Sequence, residues 1–130
     1  MYALDTNSLS YFLKGRGRVG ERLLAQPPAE VGLPSVVLYA LAYGAARSQA
    51  PPDLKARLET LLRSLPILPF GEAEARAAAR IRADLETARK PIGPHDVLIA
   101  ATALAHGATL VTHNLREFRR VKGLLIEDWY

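Results

Sequence analysis

No cysteine occurs among the 130 residues, which excludes disulfides and thiolate metal sites from the start. Also missing is any apolar run near the roughly 18 residues that a membrane-spanning helix needs. The first apolar stretch holds Asp5 and follows no basic region, so it does not read as a secretory signal. A cytoplasmic location with no membrane partner is the expectation. Repeats, low-complexity tracts and an inter-domain linker are absent too. With 49% hydrophobic residues the chain can bury a sizeable core, and its length suits one domain over residues 1–130. Asparagine and glutamine (two each) and methionine (one) are scarce beside many Arg and Pro, a composition seen in heat-adapted proteins.

Acidic residues are the minority charge, 13 against 17 cations, for a formal net charge of +4. Arginine supplies 13 of those cations and lysine 4. A basic surface suits a phosphate-rich partner, because a guanidinium grips phosphate with two parallel hydrogen bonds. Charge alone does not establish such a partner.

Along the chain, short apolar runs alternate with helical patterns. Tyr2-Ala3-Leu4 reads as a strand, cut off by the helix-capping residues Asp5-Thr6-Asn7. Leu9, Phe12 and Leu13 recur at helical spacing until Gly15-Arg16-Gly17, and a short helix is expected around Val19–Ala25. Val31-Gly32-Leu33 is a second strand. Pro34-Ser35 opens a helix with Val37, Leu38, Leu41 and Ala45 on one face, and a helix with Leu54, Leu58, Leu61 and Leu62 follows Pro51-Pro52. Ile67-Leu68 between prolines is a third strand, and an Ala- and Arg-rich helix is expected over Glu72–Lys90. Pro91-Ile92-Gly93-Pro94 leads into a helix that stops at Gly107. Thr109-Leu110-Val111 is a fourth strand, a short turn surrounds Leu115–Phe118, and Leu124-Leu125-Ile126 is a fifth strand. Short buried strands separated by helices predict an α/β fold, a parallel sheet of about five strands with helices on both faces. In such sheets ligands bind beyond the carboxyl ends of the strands, where strand order reverses.

Polar residues at those ends are therefore the candidates for chemistry. Asp5 leaves the first strand directly and is either a catalytic or metal-binding carboxylate or the cap of the next helix, a role Thr6 or Asn7 fills equally well. Asp96 lies in the first turn of its helix, where an acid also complements the helix dipole. Thr112-His113-Asn114 and Glu117 follow the fourth strand, with capping and solvation as their alternatives. Taken together, Asp5, Asp96, Asn114 and Glu117 fall on one predicted edge. Clustered hard oxygen donors without cysteine suit Mg²⁺ or Mn²⁺, ions that cleave phosphodiesters by activating water. The three histidines show no metal-ligand spacing. His95 and His113 flank the site as surface residues, and His106 sits near a helix end. Tyr39 and Tyr43, four apart, suit core or interface packing better than base stacking. Arg76, Arg80 and Arg82 read as a solvated helix face, with an RNA-backbone role as the minority alternative.

Three separated motifs resemble the PIN-domain ribonucleases of the VapC-toxin type. They are Leu4-Asp5-Thr6-Asn7, the run Pro91-Ile92-Gly93-Pro94-His95-Asp96-Val97-Leu98-Ile99-Ala100-Ala101, and the stretch from Leu110-Val111-Thr112-His113-Asn114-Leu115-Arg116-Glu117-Phe118 to Glu127-Asp128-Trp129. The resemblance implies a three-layer α/β/α sandwich (PIN-like), Mg²⁺- or Mn²⁺-dependent endoribonuclease activity, RNA as substrate, a homodimer, and a VapB-like antitoxin as inhibitor. By position, Asp5 and Asp96 match the metal-binding aspartates. Asn114 matches a metal-site position that is Asp or Asn in the family, Glu117 a nearby acid, and Thr112 a supporting hydroxyl. One position departs. Ser35-Val36-Val37-Leu38-Tyr39-Ala40-Leu41 resembles the second motif, but Ala40 stands where the family carries Glu. A methyl group neither binds metal nor orients water, so a weakened or inactive form is expected. A non-catalytic module that binds antitoxin or RNA is the alternative. A phosphatase built on Asp5 lacks its second Asp, since Asn7 stands two residues on, and a receiver domain lacks its acidic pair near the first strand and its Lys after the last.

Overall fold

In the computed structural model, which describes residues 1–130, the opening apolar triplet is the central strand β1 (Tyr2–Leu4), with Ala3 and Leu4 fully buried. The chain continues through α1 (Thr6–Lys14), α2 (Val19–Leu24) and a 3-10 turn (Pro28–Glu30) to β2 (Val31–Pro34). Helices α3 (Ser35–Arg47) and α4 (Pro52–Ser64) lead to β3 (Ile67–Leu68), and α5 (Glu72–Thr87) and α6 (Pro94–Ala105) lead to β4 (Thr109–Val111). Helix α7 (Leu115–Phe118) and strand β5 (Ile126–Glu127) complete it. All five strands pair in parallel, in the order β3-β2-β1-β4-β5, and helices flank the sheet as an α/β/α sandwich.

This order places the site. From β1 the chain crosses to β2 on one side and later returns to β4 on the other. The carboxyl ends of β1 and β4 therefore diverge around a crevice, the switch point where α/β sheets bind ligands. The register Leu4↔Val111 sets Asp5 beside Thr112, and the Asp5 N–H donates to Val111 O at 3.2 Å.

Local sequence explains the elements. β2 is buried along its whole length, and a Cβ on Gly32 would lie 2.6 Å from the Leu68 side chain, so glycine lets β3 pack over it. Helices α4 and α6 each start on a proline, which has no N–H to leave unpaired there. Helix α6 buries Val97, Ile99, Ala100, Ala101, Thr102 and Ala103 between the sheet and α5, and the Thr102 hydroxyl is satisfied by Leu98 O at 2.8 Å. At the far end Trp129 is buried, stacked edge-on against Tyr2 at 5.0 Å, with Nε1 donating to Glu127 Oε1 at 2.8 Å. Arg22 donates to the same carboxylate. Gly17, at φ +64°, leaves room for this terminal segment, since a Cβ there would lie 2.7 Å from the Tyr130 carbonyl carbon.

Three boundaries differ from the sequence expectation. Helix α5 ends at Thr87 rather than Lys90, because Arg89 adopts φ 57° and Lys90 N–H closes back on Leu85 O at 2.9 Å. Strand β5 begins two residues late, at Ile126: Leu125 is 69% exposed, and pairing starts only at Leu110↔Ile126. The 3-10 turn before β2 has no counterpart in the hydrophobic pattern. No helix is long and apolar enough to cross a membrane.

Candidate active site

Asp5 ends β1 and caps α1, with Oδ1 accepting from the Ser8 N–H at 2.8 Å. The capping alternative therefore falls to Asp5 itself, not to Thr6 or Asn7, and it does not compete with a functional role because a carboxylate has further lone pairs. The residue is only 4% exposed. Burial pushes its carboxyl above the ordinary range. Hydrogen bonds from Thr112 and Ser8 pull the other way, and the nearby Asp128 charge adds to the rise.

Asp96 sits in the first turn of α6, half-buried. Its carboxyl is also raised, first by burial, then by the charges of Glu117 and Asp5, with His95 opposing. Asn114 occupies the cap position of α7, but its side chain makes no capping bond, so the amide stays available. Its backbone N–H donates to Thr112 Oγ1 at 3.0 Å, which ties the buried Thr112 to both Asn114 and Asp5. Glu117 on α7 is half-buried.

The four residues arrive from three separate segments at one end of the sheet. Asp5 and Glu117 each lie within electrostatic range of Asp96, yet no three carboxylates or imidazoles stand at metal-ligating spacing. This donor set suits an ion that keeps much of its water: Mg²⁺ is commonly held by one or two carboxylates, with water filling the octahedron. Two carboxyls whose proton affinities are raised by burial and by neighbouring acids are also what a divalent cation would relieve.

Ala40, on α3, lines a cavity of about 360 Å³ together with Thr6, Ser10 and Leu41. Thr6 Oγ1 is buried and has no hydrogen-bond partner. An unpaired buried hydroxyl costs free energy. Thr6 lines the same cavity as Ala40. Nothing in the periodicity pointed to Thr6; only its place in the Leu4-Asp5-Thr6-Asn7 motif did.

Two of the histidines flank the site, His95 half-buried and His113 exposed. His95 Nε2 lies 3.3 Å from Val36 O, and its ring is 6.2 Å from Tyr39. His113 Nδ1 lies 2.9 Å from Asp128 Oδ2, and its ring stacks on Tyr130 at 4.2 Å. Asp128 and Tyr130 were not singled out as site residues from the sequence, since they come from beyond β5. His106 is the C-cap of α6, 3.3 Å from Pro69 O. Tyr39 and Tyr43 are not core residues: they are 65% and 53% exposed and stacked on each other. Tyr11 and Phe12 instead pack partly buried against the core.

Comparison with known proteins gives a consistent result. The PIN domain family model matches residues 2–124. The tRNA(fMet)-specific endonuclease VapC of Shigella flexneri is 35% identical over 128 residues, 98% of this chain and 97% of that protein. Ribonuclease VapC2 of Haemophilus influenzae is 37% identical over the same shares. Among solved structures, DNA-bound VapBC from Salmonella typhimurium superposes with a TM-score of 0.91 at 35% identity, covering 99% of this chain and 98% of that one.

Proposed function

This chain belongs to the PIN-domain family, as a VapC-type ribonuclease toxin of VapBC toxin–antitoxin systems, and from that premise we propose a metal-dependent endoribonuclease centred on Asp5 and Asp96. The observation that carries this reading is electrostatic. At the sheet's switch point the charges of Glu117 and Asp5 both oppose ionisation of Asp96, Asp128 does the same to Asp5, and His95 is the one group that opposes the rise at Asp96. Such an arrangement costs stability and is retained where a cation or charged substrate completes it.

Hydrolysis of an RNA phosphodiester joins a water oxygen to phosphorus and breaks the bond to one ribose oxygen, which leaves with a proton. A bound Mg²⁺ or Mn²⁺ supplies water activation and charge neutralisation at the phosphate. Asp5 and Asp96 would hold that ion, Asn114 would offer its amide oxygen, and Glu117 would complete the acidic wall. Ser8 and Thr112 fix Asp5, and Thr112 also fixes the backbone of Asn114.

Ala40 removes the fourth acid that family membership leads one to expect, and the unpaired Thr6 hydroxyl beside it supports that loss. This form is accordingly weakened or inactive on our reading. The alternative, a non-catalytic module, is favoured by that same residue. The partner protein is a VapB-like antitoxin and the substrate is RNA. A homodimer using the exposed Tyr39 and Tyr43 of α3, a single functional domain over residues 1–130 and a cytoplasmic location complete the proposal.

The test compares this chain with its Ala40→Glu variant on structured RNAs, tRNA included, in Mg²⁺, in Mn²⁺ and in EDTA. Metal-dependent cleavage by the Glu variant alone supports both the site and the role of position 40. Cleavage by both leaves the nuclease standing and refutes the account of Ala40. No cleavage by either moves the binding module to the front.

A further inference from the structure

The largest concave surface lies outside the acidic site. It is a groove of about 860 Å³ between α5 and the segment after α7. Ile81, Leu85 and Val121 form a buried apolar floor. Arg76 and Arg80 line one wall and Arg120 and Lys122 the other, and Asp84 is the only acid among the lining residues. Four cations against one acid is a large local excess in a chain whose whole net charge is +4.

These cations differ in what already occupies them. Arg76 pairs with Glu72 at 2.9 Å. Arg120 donates Nη1 to Pro91 O at 3.0 Å. Arg80 and Lys122, on opposite walls, take part in no ion pair or side-chain hydrogen bond, so their charges face solvent unspent. The Arg120 bond also connects the groove to the acidic site, because Pro91 opens the loop that delivers Asp96 to the sheet edge.

We infer that this groove is a phosphate-tracking surface that holds the RNA backbone at a distance from the cleaved bond. The inference rests on the ribonuclease reading and adds to it a second contact region. An RNA carries charge at every nucleotide, while the acidic centre repels phosphate wherever a cation does not screen it. Affinity for a long substrate must therefore come from cations elsewhere, and neutralising phosphates releases counterions. Three of the four groove cations are Arg, the side chain whose planar fork matches phosphate. Facing walls that each carry cations suit a backbone lying between them, with riboses over the apolar floor. An acidic amphipathic peptide is the other occupant that this chemistry admits. The link to the Asp96 loop favours RNA.

The test measures binding of a labelled RNA hairpin by fluorescence anisotropy in EDTA, between about 50 and 200 mM salt, so that cleavage plays no part. The groove variant is Arg80→Glu with Lys122→Glu. The control is Arg57→Glu with Arg63→Glu on the exposed face of α4, which changes the net charge by the same amount. Losing two phosphate contacts lowers the slope of log affinity against log salt by about 1.4, and affinity at about 0.1 M salt by about 20-fold or more. The control pair leaves the slope nearly unchanged. Arg80→Ala with Lys122→Ala, which adds no repulsion, produces the same slope change and serves if charge reversal impairs folding.

An equal loss in both charge-reversed pairs overturns the inference, because only overall charge then matters. An unchanged slope in a chain that binds RNA overturns it and leaves the nuclease reading intact. No RNA binding by the parent chain overturns it as well, while metal-dependent cleavage by Ala40→Glu still decides the nuclease reading separately. If the groove variants lose an acidic amphipathic peptide and retain RNA, the surface is a protein-docking site and the inference fails.

Discussion

Replacing Asp5 separates the cost of the acidic site from its use. In the metal-free protein the carboxylate caps α1 through Ser8 and is buried, with its proton affinity raised chiefly by desolvation. A carboxyl raised on folding binds more protons folded than unfolded. Its contribution to stability is therefore present in full below the ordinary value near 3.8 and is lost as pH climbs through the raised value. Asp5→Asn keeps an oxygen for the Ser8 N–H and removes the charge, so it stabilises the metal-free protein at neutral pH. Asp5→Ala removes the charge and the cap together, which costs about 1 kcal/mol relative to Asn. A chain of 130 residues unfolds with an entropy of roughly 0.27 kcal/mol/K. The Ala variant thus melts about 4 °C below the Asn variant.

Thermal unfolding followed by circular dichroism in EDTA, from pH 3.5 to 8, reads all three proteins. The advantage of Asp5→Asn over the parent grows as pH rises through the raised value and disappears at the acid end. Mg²⁺ at about ten times its dissociation constant then restores about 1.4 kcal/mol to the parent and nothing to the variant. A pH-independent difference, or an equal Mg²⁺ effect on both proteins, refutes the argument.

Trp129→Ala empties a fully enclosed site against Tyr2 and leaves Glu127 with Arg22 as its remaining side-chain partner, so urea unfolding shows a loss of about 3–5 kcal/mol. Gly17→Ala forces a side chain into a left-handed backbone and against Tyr130, costing about 1–3 kcal/mol. In the same variant the His113 ring resonances move in NMR spectra, because the Tyr130 ring stacked on them is displaced. An unshifted His113 spectrum refutes the packing account.

Much of this molecule is legible residue by residue. Strand β1 and helix α6 follow from short-range pattern and from proline and glycine positions, with bounds within a residue or two of expectation. Asp5, Asp96, Asn114 and Glu117 could be chosen because each lies at a strand end, a helix cap or in a first helical turn, and the three motifs agree in order with a known family. Local rules also predict a polar cap for α1, but they leave Asp5, Thr6 and Asn7 as equal candidates, and the structure selects Asp5.

What these rules do not reach is adjacency between distant segments. Parallel pairing of β1 with β4 joins residues more than a hundred apart, and only that register sets Asp5 beside Thr112. The same limit hid Asp128 behind Asp5, Tyr130 on His113, and a basic groove assembled from α5 and the segment after α7. It also hid the exposure of Tyr39 and Tyr43, because an apolar spacing on a helix does not say which face the sheet will cover. Strand β5 slipped by two residues for a related reason: a run of three apolar residues allows several pairings, and the partner strand selects one. Short-range sterics and hydrogen bonding set the type of each element. Burial and charge act through space, so the acidic centre and the basic groove exist only once the sheet order has brought their residues together.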